Sequence, residues 1–124
     1  MVINKDIQKI SKELQQAYEA NAKGKKGLAR VCARRAAGWA IQVQLELNGI
    51  SLDSPSVMDH FSFLLRQSNT KPEVQDILRH MTQKVEKDSL EDENFLPLPD
   101  VNLVEEAHWL VEELLGISID IEKP

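Results

Sequence analysis

Residues 28–49, LARVCARRAAGWAIQVQLELNG, contain no proline and one interior glycine before the closing Asn48-Gly49. At 100° per residue, Leu28, Ala29, Cys32, Ala33, Ala36, Trp39, Ala40, Val43 and Leu47 fall on one broad face, the pattern of a buried helix. Ile41 and Leu45 lie nearly opposite Trp39. The C-terminal half is therefore apolar on two sides and is expected to be sandwiched between other helices or subunits. The alanines leave room for a neighbouring helix to approach closely, and Asn48-Gly49 is a stop signal of the usual kind.

Working outward, Ile3, Ile7, Ile10, Leu14 and Ala17/Tyr18 repeat at helical spacing and predict a helix over about 4–21. Ala22-Lys-Gly-Lys-Lys-Gly27 interrupts it with a short turn. Ser54-Pro55 caps a short helix to about Arg66, with Val57, Phe61, Leu64 and Leu65 inward. Thr70-Lys-Pro-Glu73 has capping-box spacing before Val74, Ile77, Leu78, Met81 and Val85. Residues 86–100, EKDSLEDENFLPLPD, combine acids with two prolines and read as a long loop, pinned by Phe95, Leu96 and Leu98. Asn102 then starts a last helix with Val104, Ala107/His108, Val111, Leu114 and Leu115 inward, and Gly116 ends it. Ile117, Ile119 and Ile121 alternate with polar residues in a tail, 117–124, read as a loosely docked or frayed end in preference to a strand-like clip on a partner.

The expected fold is all-α: an up-and-down bundle of about five helices, with the first two forming a long antiparallel hairpin. At 124 residues and 42% hydrophobic content the chain closes one core, so residues 1–124 are read as a single domain. The longest uncharged stretch in the core helix, Ala36 to Leu45, is far below the roughly 20 residues of a membrane span. The first residues lack the apolar block of a secretory signal, so a cytoplasmic location is the default expectation. Cys32 is the only cysteine; it excludes an internal disulfide and reads as a small buried hydrophobe.

The net charge of -5 is unevenly spread. Residues 1–85 carry 13 Lys/Arg and 8 Asp/Glu, whereas 86–124 carry 2 and 12. Self-neutralisation on folding or dimerisation is the simpler reading of such a split.

Among candidate sites, Lys26, Arg30 and Arg34 are spaced four apart and form one positive stripe, which Lys23 and Lys25 extend. Such a stripe can grip phosphates. The acidic total and the scarcity of aromatics (one Tyr, three Phe) favour instead a solvated face paired with acids of the last helix or of another subunit. Arg35 falls at the edge of the apolar face and is expected to be partly buried. It then needs an acceptor, most simply a carboxylate from the acid-rich C-terminal part, the alternative being an anionic ligand.

Glu105, His108 and Glu112 share one helical surface, and Glu-x-x-His is the metal-binding spacing of ferritin-like di-iron bundles. That site requires a second copy and further glutamates, which only a dimer would supply, so no metal is expected. His60, His80 and His108 fall on three predicted helices and read as ordinary polar or interfacial histidines. No Gly-x-Ser-x-Gly and no Walker spacing occurs, and no cofactor is called for.

Two spans, GLARVCARRAAGWAIQVQLELNGI (27–50) and NLVEEAHWLVEELL (102–115), resemble the second and closing helices of prokaryotic HEPN-domain proteins. The resemblance extends by helix order over nearly the whole chain. It implies a dimeric helical bundle with a nucleotide or RNA connection, of the sort found in toxin–antitoxin or defence systems. HEPN ribonucleases carry Arg, four to six residues, then His; Arg30, Arg34, Arg35, Arg66 and Arg79 all lack such a histidine, and the second helix has no adjacent tyrosine pair. The expected function is accordingly a non-catalytic, homodimeric binding or interaction protein, with an RNA-acting or nucleotide-binding HEPN-like protein as the alternative. Lys26, Arg30, Arg34 and Arg35 are the candidate anion-binding residues.

Overall fold

A computed structural model of the chain describes residues 2–50, 57–67, 70–82 and 102–122. Five helices and no strand are present among them: α1 (Val2–Ala22), α2 (Lys26–Leu47), α3 (Val57–Leu65), α4 (Pro72–Thr82) and α5 (Leu103–Leu115). The Ser54-Pro55 cap, Val85, the 86–100 loop with Phe95, Leu96 and Leu98, and residues 123–124 lie outside the described residues.

Local chemistry sets the helix ends. In α1, Lys25 N–H bonds back to Ala20 O at 2.8 Å and Gly24 N–H to Asn21 O at 3.1 Å, the paired bonds of a Schellman motif. Gly24 supplies the left-handed residue, φ 78°, that this motif needs and that a side chain would strain. Ile50 N–H to Leu45 O and Gly49 N–H to Glu46 O close α2 in the same way. Asn102 caps α5 by accepting from Val104 and Glu105 N–H. The capping-box expectation at α4 is not met: the Thr70 hydroxyl donates to Leu64 O at 3.0 Å, joining Gln67 N–H on a carbonyl in the last turn of α3.

The core runs along α2, which packs against α1, α5 and α3. Ile10, Leu14, Ala17 and Tyr18 of α1 meet it, and Ala33, Ala36, Ala37, Ala40 and Ile41 of α2 are fully buried. Small residues on α2 let three helices crowd one axis. The two-sided C-terminal half is thus covered within the chain, Ile41 and Leu45 included, and needs no second subunit to bury it. Leu28 and Leu47 depart from the expected inward face and are 52% and 60% exposed, because they stand at the two ends of the helix where no neighbour reaches. Trp39 sits at the edge, with Lys9 Nζ 4.0 Å above its ring.

Specific contacts fix the directions. Gln44 meets Leu114 at one end, and His80 meets Glu106 where Arg34 meets Met81, so α5 runs parallel to α2. Lys71 pairs with Glu113, so α4 runs antiparallel to α5. The arrangement is an all-α bundle in up-and-down order with the long α1/α2 hairpin as its spine.

Candidate functional site

The three arginines of α2 separate by their partners. Arg35 Nη1 donates to Glu13 Oε1 at 3.0 Å, with side chains 47% and 10% exposed. The acceptor comes from α1 and not from the acid-rich C-terminal part, because α1 is the helix that lies along this edge of α2. The needs are also reversed: Glu13 is the buried charge, and Arg35 reaches in from a largely exposed position to satisfy it. The same carboxylate faces the Cys32 thiol, which burial first, and then Glu13, push up to about 11.

Arg34 Nε donates to Met81 O at 2.9 Å. Met81 is in the last turn of α4, whose final carbonyls have no partner within the helix and attract a cation. Burial, and secondarily Arg30, lower the pKa of Arg34. Two of the four candidate anion-binding residues, Arg34 and Arg35, thus have partners within the protein, the pairing that buried charges call for.

Lys26 and Arg30 remain. Neither meets a carboxylate among the described residues, and the acids of α5 are engaged elsewhere. Glu106 pairs with His80 at 2.9 Å, Glu113 with Lys71, Glu105 with Tyr18, and Glu112 with the Ile119 N–H. Among the described residues, no ion pair joins Lys26 or Arg30 to the last helix. The first turn of α2 holds no acid, its N-cap Lys25 makes no side-chain capping bond, and Lys23, Lys25 and Lys26 are exposed around it. Open N–H groups and lysines together make this end electropositive. Leu28 and Val31 stand 52% and 46% exposed beside it.

Glu105, His108 and Glu112 do converge, but on Tyr18 and the tail. Tyr18 Oη lies 2.9 Å from both Glu105 Oε2 and His108 Nδ1. His108 Nε2 lies 2.8 Å from Ile119 O, and a carbonyl only accepts, so Nε2 carries a proton. Both ring nitrogens are used, and no group of three or more His, Cys, Asp or Glu is arranged to hold a metal among the described residues. Glu105, His108 and Glu112, the residues of the Glu-x-x-His spacing, are instead joined through hydrogen bonds to Tyr18 and Ile119. Burial first, then Glu105, push the Tyr18 hydroxyl above its ordinary range. His60 is buried in α3.

The described part of the tail, residues 117–122, is docked on α1 and α5 of its own chain, in keeping with the docked-end reading. Ile119 is 5% exposed and Ile117 and Ile121 are half-buried, while Ser118, Asp120 and Glu122 face solvent. At the other end of the bundle, Leu45, Phe63, Leu64, Val74 and Leu114 line an open cleft of about 520 Å³, which Lys71 and Glu113 border. Sequence reasoning missed Glu13, Tyr18 and Gln15. The one signal for Glu13 was an acid next to Leu14 on an otherwise apolar helix face.

No family model, no curated protein and no solved structure matches this chain. What stands of the HEPN resemblance is the coarse architecture, five helices in an all-α bundle.

Proposed function

We propose that this chain is a non-catalytic helical-bundle interaction protein that binds an anionic partner through the N-terminal end of α2. One observation carries the reading: Lys26 and Arg30 meet no carboxylate among the described residues, although the protein as a whole is acidic. Lys23 and Lys25 add charge at an uncapped helix end, and Leu28 and Val31 add exposed apolar surface for contact. The remaining groups with chemical potential are engaged in architecture, Arg34 and Arg35 on α4 and α1, His108 and Glu112 on the tail.

The test is a titration of the full chain against single-stranded RNA and against a polyglutamate peptide at about 50 mM and about 200 mM salt. Binding of the peptide, lost in Lys26→Ala/Arg30→Ala, supports an acidic protein partner. The alternative, an RNA-acting HEPN-like protein, is favoured by the same cations; four phosphate contacts to a single strand give a log–log salt slope of about -3. Absence of binding to either probe at low salt sinks both readings.

A homodimer belongs to the proposal through exposed apolar residues of α2 such as Leu28 and Val31, since Ile41, Val43 and Leu45 of its C-terminal half are buried within the chain itself. Light scattering decides it: twice the 14.1 kDa chain mass supports the dimer, and 14.1 kDa at high concentration removes it.

A further inference from the structure

Residues 117–122 are held between α1 and α5 by their backbone. Gln15 Nε2 donates to Glu122 O at 2.7 Å, and Gln15 Oε1 accepts from Glu122 N–H at 3.1 Å. Nearer α5, His108 Nε2 donates to Ile119 O at 2.8 Å, and Glu112 Oε2 accepts from Ile119 N–H at 2.8 Å. Each of these two residues is bound through both its N–H and its C=O, as an adjacent β-strand would bind it, but here by side chains of two helices. On either side of Ile119 the outward residues Ser118 and Asp120 are exposed, and within the tail only Ile119 is deeply buried. Such a groove selects an extended backbone and one aliphatic side chain, and it is indifferent to what faces solvent.

We propose that the α1/α5 groove is a binding site for an extended segment of a partner protein with an aliphatic residue at the Ile119 position, and that the chain's own tail occupies it as a built-in competitor. The seated tail identifies the occupant's chemistry. The architecture also lets the tail leave alone: α5 ends at Leu115, and Gly116, φ 66°, reverses the chain before the first tail contact. Ordering six residues opposes these few contacts, so a longer partner segment has the means to displace them. This inference does not use the basic end of α2 and stands or falls separately from it.

The test uses full-length Ile119→Asp and Ile119→Ser chains and a fluorescent peptide of sequence ISIDIE, read by anisotropy, with circular dichroism to verify helicity. Because apparent affinity scales with the fraction of open groove, both variants are expected to bind the peptide at least about tenfold more tightly than the wild-type chain. Adding Gln15→Ala removes two hydrogen bonds and weakens binding by roughly tenfold. A peptide with Asp in place of the central Ile is expected not to bind. Absence of saturable binding by helical variants, or binding unaffected by Gln15→Ala, overturns the proposal. Should both variants lose helicity, the Ile119 backbone amide resonance of the wild-type chain reports instead, since displacement frees it from Glu112: saturable shifts with excess peptide support the site, and no shift overturns it.

Discussion

Glu13 lies buried on α1, between the Arg35 guanidinium and the Cys32 thiol. Arg35→Ala removes the cation and leaves the carboxylate in its pocket; the expected loss is about 1 kcal/mol in urea unfolding, modest because Arg35 is half in water. Arg35→Lys is expected to lose less. The thiol gives a pH prediction whose sign follows from its raised value. Folded Cys32 titrates at about 11 and an unfolded cysteine near about 8.5, so the folded state is favoured below both and loses that advantage as pH rises between them. Stability is expected to fall over this alkaline range, and Cys32→Ala to flatten the fall; a thiol reagent at pH 8 should react only once the chain is unfolded. In the sequence, the need of Arg35 for an acceptor was legible from its place at the edge of the apolar face. The identity of the acceptor was not, because the density of acids after residue 85 says nothing about which helix lies against that edge.

Among the helices, the two glycines around the α1/α2 turn are expected to respond oppositely to a methyl group. Gly24 has φ 78°, so Gly24→Ala forces a left-handed alanine and is expected to cost about 1 kcal/mol. Gly27 lies within α2 without a positive φ, and nothing lies within 4 Å of an added Cβ, so Gly27→Ala is expected to raise the melting temperature through a gain of about 0.5 kcal/mol or more. Ala33 and Ala40 are fully buried among packed helices, and enlarging either to Leu is expected to cost about 1–3 kcal/mol by overpacking. Helix identity and most ends were legible because Gly24, Gly49, Asn102 and Gly116 act through local backbone chemistry. The role of Thr70 was not, because its hydroxyl answers to a carbonyl of the preceding helix.

For the whole molecule, the two-sided α2 made the bundle legible, since a helix apolar on opposite sides must be enclosed. Whether neighbours within the chain or a second subunit enclose it depends on tertiary packing, and here α1, α3 and α5 do so. Leu28 and Val31 remain exposed at the N-terminal end of α2. Leu28→Gln and Val31→Gln are each expected to change unfolding free energy by no more than about 0.5 kcal/mol while weakening any partner held at the α2 end, a separation that paired unfolding and binding measurements detect. The candidate site was half legible: the spacing of Lys26, Arg30 and Arg34 exposed the stripe, but not that Arg34 turns toward the end of α4.

The side-chain clamps on the tail leave a distinct signature in amide hydrogen exchange. The Ile119 and Glu122 N–H groups are bonded to Glu112 and Gln15, within a stretch that has no regular secondary structure. Slow deuterium uptake at these two positions, with fast uptake at the exposed Asp120 between them, would mark a segment that spectroscopy of helix content does not register but that solvent cannot freely enter.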